Sequence, residues 1–233
     1  MRESKISETT EISAEKEKLS DLLKTLESSE ISYLNNAEQA DSILSKRLDY
    51  GNTESAKPME EHYSTNWEKI SENTDLSKNL KECNPNYDLG KEWKINCQRC
   101  VPTYEMRRRG YDVTAEPKPN EKKADELSNN PFGVWKNPKI IDCGGNGRSD
   151  IEKEMLKWGD GTRAQVVVVL KNTNSGHTFI AEQIDGKTHY FDPQTGSMDV
   201  TNYFKRVERN SVQLCRIDDL DVTNKIKDCC RKV

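Results

Sequence analysis

Apolar residues are spread unevenly along this chain of 233 residues. As far as about Asn86 they are sparse and recur at helical spacing, as Ile12, Leu19, Leu22, Leu23 and Leu26, then Ile31, Leu34, Ile43, Leu44 and Leu48. Stripes this thin predict weakly amphipathic helices that need a partner to stay folded. Gly51 to Pro58 reads as a break between two such pieces. The pattern changes near Tyr87. Beyond it lie three of the four tryptophans, most of the glycines and one strongly apolar run, Gln165 to Leu170. The expected organisation is therefore a polar helical or partly disordered segment, 1–86, followed by one domain, 87–233.

The run Val166-Val167-Val168-Val169 is continuous and β-branched, which predicts a strand covered on both faces. A turn-rich stretch, Asn172 to Gly176, separates it from Thr178 to Ile184. Asp185-Gly186 then precedes Lys187 to Asp192, so the three segments read as an antiparallel meander. An Asp-Gly pair favours a two-residue type I′ turn, because both central residues need positive φ. That fixes a register in which Ile184 faces Lys187, Phe179 faces Asp192 and His177 faces Gln194. His177 and Asp192 then share one face as diagonal neighbours, about 7 to 8 Å apart at the backbone. His189 falls on the opposite face and reads as an ordinary sheet residue. Further on, Val200, Tyr203, Phe204 and Val207 fit a helical stripe, Val212 to Ile217 a strand, and Ile226 to Cys230 a short terminal helix.

Composition narrows the function classes. Hydrophobic and charged residues each make up 33% of the chain, so a single core cannot span its whole length. The formal net charge of −4 gives no electrostatic reason to expect nucleic acid or an anionic membrane as partner. No apolar run approaches the roughly 18 to 20 residues of a membrane span, and Met1 to Lys5 lacks the apolar stretch of a signal peptide. Seven cysteines leave at least one thiol unpaired, and without an export signal the expectation is reduced thiols in a cytosol.

Three residues stand in contexts suited to nucleophilic catalysis: Cys97 in Asn96-Cys97-Gln98-Arg99-Cys100, His177 in Gly176-His177-Thr178-Phe179, and Asp192 in Phe191-Asp192-Pro193-Gln194. A thiol needs a base, and the base an orienting group. Asn96 suits a helix N-cap and Gly110 a stop, which sets Cys97 at a helix N-terminus, where free N–H groups favour a thiolate. Pro102 is best tolerated in a first turn, however, and a helix starting there brings Cys100 nearer the start. Position alone leaves the choice between Cys97 and Cys100 open.

Blander readings compete. Cys-x-x-Cys can be half a zinc site, but Cys143, His177, Cys229 and Cys230 supply no second pair at the usual spacing. A redox motif expects a preceding strand in a βαβ unit. Arg107-Arg108-Arg109 reads as a solvated helix end favouring the C-terminal dipole. Gly144-Gly145-Asn146-Gly147 reads as a loop with no clear strand ahead of it, since no Gly-Lys-Ser/Thr follows.

Several motifs in order nevertheless resemble one family. They are Asn96-Cys97-x-x-Cys100, Tyr104 to Val113, Trp158-Gly159-Asp160-Gly161, Gly176 to Glu182 and Asp192 to Gly196. Together they are similar to the papain-fold toxins of bacterial polymorphic toxins and phage-borne effectors, over about Tyr87 to Cys230. The resemblance implies an α+β papain-like fold with an antiparallel sheet packed on the nucleophile helix. It also implies a protein-glutamine deamidase that uses Cys97 as nucleophile, His177 as base and Asp192 as orienting acid, with no metal or organic cofactor. Asn96 and Gln194 become candidates for oxyanion or substrate binding. No Gln precedes Cys97 where papain proteases carry their oxyanion donor. The implied partners are a protein substrate in a target cell and a cognate immunity protein. The implied setting is the producer's cytoplasm, or delivery by a specialised route into target-cell cytoplasm. A cysteine protease or transglutaminase-like acyltransferase on the same triad, and a non-catalytic zinc or binding module, are the competing functions.

Overall fold

The computed structural model describes residues 75–120, 125–173 and 175–233. The helical stripes expected between Ile12 and Leu48, and the break at Gly51 to Pro58, lie outside them. Four α-helices are present among these residues: α1 (Leu76–Cys83), α2 (Cys97–Arg108), α3 (Glu126–Asn129) and α4 (Arg148–Trp158). The strands are β1 (Val113–Ala115), β2 (Ile140–Cys143), β3 (Arg163–Val169), β4 (Gly176–Ile184), β5 (Lys187–Phe191), β6 (Val212–Arg216) and β7 (Cys230–Lys232), the last five of which follow α4. Five strands form an antiparallel sheet in the order β2-β6-β3-β4-β5, while β1 and β7 form a separate ribbon.

The apolar run Gln165 to Val169 is the centre of the sheet, and its alternate residues feed two cores. Val167, with Ile180 and Phe191, packs with Cys100, Val101, Tyr104 and Met106 of α2. Val166 and Val168, with Phe179 and Ala181, pack with Ile151 and Met155 of α4 and with Phe204. Burial on both faces explains why β3 reads as an uninterrupted β-branched run. The fold is thus α+β and papain-like, with the antiparallel sheet set against α2. The packed body reaches back to α1, where Leu80 and Cys83 join the α2 core and Asp75 caps the helix by accepting from the Lys78 N–H.

The Asp185-Gly186 turn forms as expected, with φ of 49° and 73°, and Ile184 pairs with Lys187. The register holds through Ile180–Phe191 and then stops. Asp192 leaves the ladder to bridge Ser197 across a turn, so Gln194 does not sit opposite His177. His189 is exposed, on the face that the register assigned.

Four other expectations are corrected. The stripe from Val200 to Val207 is only a 3-10 helix, Thr201–Lys205, after which Val207 bridges Leu170. The terminal segment is a 3-10 helix, Asn224–Asp228, followed by β7, because Cys230 to Lys232 complete the ribbon with β1. A strand does precede the Gly144–Gly147 loop: β2 pairs with β6, and the loop starts α4. Gly147 is needed there, since its φ is 82° and a Cβ would lie 2.5 Å from Val212.

The three arginines are neither solvated nor free for phosphate. Arg107 is buried and pairs with Glu82 of α1, and Arg108 reaches Glu182 of β4 at 2.5 Å. Arg109 pairs with Glu105 at 2.7 Å and donates to the Leu220 and Ile217 carbonyls. The helix end is packed against protein, so its cations are met by carboxylates, of which Glu105 and Glu182 are buried and Glu82 is partly exposed.

Candidate active site

Helix α2 begins at Cys97 and passes through Pro102 without breaking. A proline at the sixth helical position removes the bond to the Gln98 carbonyl and costs about 3 kcal/mol in an isolated helix. Here nine successive residues, Arg99 to Arg107, are buried, and that packing outweighs the local cost. Asn96 occupies the N-cap position, but its side chain does not cap the helix. Its two amide hydrogens go to Asn84 Oδ1 at 3.3 Å and the Glu116 carbonyl at 3.0 Å. Its Oδ1 accepts from Cys100 Sγ at 3.3 Å and Gln194 Nε2 at 3.4 Å. Asn96 is therefore a buried tie between α2 and the turn after β5, with both donors spent within the protein.

His177 is the second residue of β4, at the end of the sheet, and its ring stacks near Phe179 and edge-on to Tyr203. Nε2 lies 3.2 Å from Asp192 Oδ2. Cys97 Sγ donates to Gln98 Oε1 at 3.7 Å and lies near enough to the ring to act on its charge; with Nε2 engaged by Asp192, Nδ1 is the ring nitrogen open to sulfur. Burial disfavours an imidazolium here, but Cys97 and Asp192 together outweigh it and raise the His177 pKa to about 10.

Asp192 is fully buried, and burial alone raises a carboxyl pKa. The His177 pair, the Tyr203 hydroxyl at 2.9 Å and the Gln194 backbone N–H at 2.9 Å overcome that and hold it below the usual range. Gln194 is positioned in turn by Asn84, whose amide donates to the Gln194 and Trp93 carbonyls, each at 2.9 Å.

Cys100, by contrast, faces inward. It has no exposed surface, and burial together with the neighbouring Cys83 thiol pushes its pKa well up. Cys97 retains 7% exposure and meets the imidazole. The structure thus brings Cys97, His177 and Asp192 together with Asn96 and Gln194 behind them, and it separates Cys100 from the base. No group of three or more metal-ligating side chains occurs among the described residues.

Sequence reasoning missed two members of this cluster. Tyr203 carried only a core signal, as one apolar position of a stripe. Asn84 lay ahead of the expected domain start and carried no signal.

A thiol at a helix N-terminus, an imidazole and a buried carboxylate thus meet between a helix and an antiparallel sheet. Residues 95–197 match the family described as papain fold toxin 1, glutamine deamidase. Among solved structures, the Salmonella effector SpvD in its G161 variant is similar over 68% of this chain and 89% of that one, at 12% identity and a TM-score of 0.45. No curated protein matches the sequence. Among the described residues no helix is long and apolar enough to cross a membrane.

Proposed function

We propose that the domain deamidates a glutamine side chain of a target protein through Cys97, His177 and Asp192. The observation that carries this reading is the pairing of Cys97 with an imidazole whose other nitrogen is held by a buried carboxylate. His177 takes the Cys97 proton, and the thiolate adds to the target carboxamide carbon. The Cys97 and Gln98 N–H groups, in the first turn of α2, are available to the oxyanion, because the Asn96 carbonyl receives only the Arg99 and Cys100 N–H groups. Gln194, which lines the adjoining cavity, keeps a second amide hydrogen for the substrate. The imidazolium then protonates the departing amine, ammonia leaves, and a thioester remains. Water, deprotonated by His177, adds to the thioester, giving glutamate and the free thiol. No step calls on a metal or organic cofactor.

The family description supports deamidation over peptide-bond cleavage or acyl transfer to an amine. Mass spectrometry of proteins from cells expressing the wild type or Cys97→Ser tests the choice. Deamidation gives a Gln-to-Glu exchange at defined positions that vanishes with Cys97→Ser. Cysteine-dependent fragments mean proteolysis, and the absence of any cysteine-dependent change removes the enzymatic reading. The target cell, its protein substrate and a cognate immunity protein belong to the same proposal.

A further inference from the structure

Beside His177, a cavity of about 160 Å³ is lined by Leu170, Asp192, Thr195, Tyr203 and Arg206. Leu170 and the Tyr203 ring supply apolar surface, and the charges are unevenly matched. The Asp192 oxygens are already engaged, Oδ2 by His177 and Tyr203 and Oδ1 by the Gln194 N–H. Arg206 is exposed, and no carboxylate among the described residues pairs with its guanidinium. It is fixed in place by its backbone, since its N–H bonds the Tyr203 carbonyl at 2.8 Å and its carbonyl accepts from the Lys171 N–H at 2.8 Å. Lys171 Nζ in turn reaches the Lys205 carbonyl at 3.3 Å. Among the described residues Arg206 is thus the one arginine or lysine lining the cavity, with Lys171 and Lys205 as its backbone neighbours, on a chain whose formal net charge is −4. Charges more than about 8 to 10 Å apart are screened at physiological ionic strength, so Arg206 and these neighbours govern what an approaching segment meets.

We infer that this cavity receives an acidic side chain of the target protein lying next to the reacting glutamine, with Arg206 as its ion partner. The inference rests on the deamidase reading and specifies the substrate: a glutamine flanked by Asp or Glu. A guanidinium binds a carboxylate in fork geometry, and Lys171 and Lys205 favour the approach of the same charge. The apolar lining accommodates the methylene stem and lowers the local dielectric around the pair.

The test compares ammonia release from glutamine peptides that differ only in a neighbouring Glu, Ala or Lys. The wild type is expected to prefer the Glu peptide over the Ala peptide in kcat/KM by roughly tenfold, the scale of one hydrogen bond to a charged group. In Arg206→Gln this ratio should fall towards unity, and in Arg206→Glu the Lys peptide should become preferred. Arg206 is exposed, so an unchanged thermal midpoint serves as the folding control. A Glu preference that survives Arg206→Gln overturns the inference, as does a wild type indifferent to the flank.

A second measurement separates this subsite from the reaction itself. The rates of Cys97 alkylation by iodoacetate and iodoacetamide are compared in the wild type and Arg206→Gln. A wild-type preference for the anionic reagent that drops in the variant supports an anion-receiving cavity even if no peptide is deamidated, and in that case only the deamidase reading fails. A ratio unmoved by Arg206→Gln removes the subsite.

Discussion

Tyr203 donates its phenolic hydrogen to Asp192 Oδ2, the same oxygen that faces His177 Nε2. One carboxylate oxygen thus serves both the 3-10 helix after β5 and the imidazole of β4. The second oxygen is taken by the Gln194 N–H two residues along the chain. The carboxylate cannot rotate without breaking one of these contacts, and the ring it orients is fixed with it.

Tyr203→Phe keeps the ring against His177 and Phe179 and removes only the hydroxyl. Asp192 is held low by its donors, so loss of one raises its pKa. A depressed carboxyl contributes stability above its unfolded value that is lost as pH falls through the folded one. The variant should therefore show an upward-shifted carbon-13 titration of Asp192 and an acid-unfolding midpoint at higher pH. Activity at neutral pH should drop by up to about tenfold. An Asp192 titration identical to the wild type means that the phenol does not support the carboxylate.

The His177 pKa of about 10 depends on Cys97 as the leading upward influence, acting against burial. In the unfolded chain a histidine titrates near 6.5. Stability from this raised group is fully present below about pH 6.5 and is lost as pH rises through about 10. Cys97→Ser removes the sulfur, so the His177 midpoint should move down and the alkaline slope of stability should flatten. Imidazole proton NMR against pH, with urea unfolding at pH 7 and 9, reads both. A midpoint unmoved by the substitution would mean that sulfur and imidazole do not interact.

How much of this was legible in the sequence follows from the range of the forces involved. The β4–β5 register could be read because Asp185-Gly186 fixes it locally, and β3 because burial on both faces leaves an unbroken apolar run. Parity placed His177 and Asp192 near each other, but the contact itself is made by an Asp192 that has left the ladder to bridge Ser197. The choice between Cys97 and Cys100 did not, because Pro102 argues locally against a helix start that only the burial of α2 makes stable. The arginine run misled for a related reason: its partners Glu82 and Glu182 come from other elements, 25 and 74 residues away. Asn84 and Tyr203 belong to the same class, being polar ties whose partners no sequence spacing announces.

Glu105 tests the buried ion network. It is fully buried and holds two arginines, Arg163 at 2.6 Å and Arg109 at 2.7 Å. Burial raises its pKa, but the two guanidinium groups outweigh this and hold it below the usual carboxylate range. Glu105→Ala leaves both cations enclosed without that partner and should cost about 3 to 5 kcal/mol in urea unfolding. A loss below about 1 kcal/mol would indicate that water or neighbouring carbonyls already satisfy the arginines.

Cys97 and Cys100 are three residues apart on one helix, yet only Cys97 faces the imidazole, while Cys100 hydrogen-bonds Asn96 and lies against Cys83. Iodoacetamide under native conditions should modify Cys97 first and spare Cys100, whose thiol is both enclosed and pushed well up in pKa. Cys97→Ala should abolish the fast labelling and reduce turnover by about a thousandfold or more, while leaving the fold intact. Cys100→Ala should keep the fast labelling and lose about 1 kcal/mol of stability with the Asn96 bond. Peptide mapping of the labelled protein assigns the site directly. Fast labelling that persists in Cys97→Ala and disappears in Cys100→Ala would transfer the nucleophile to the inner cysteine and require α2 to begin nearer Pro102.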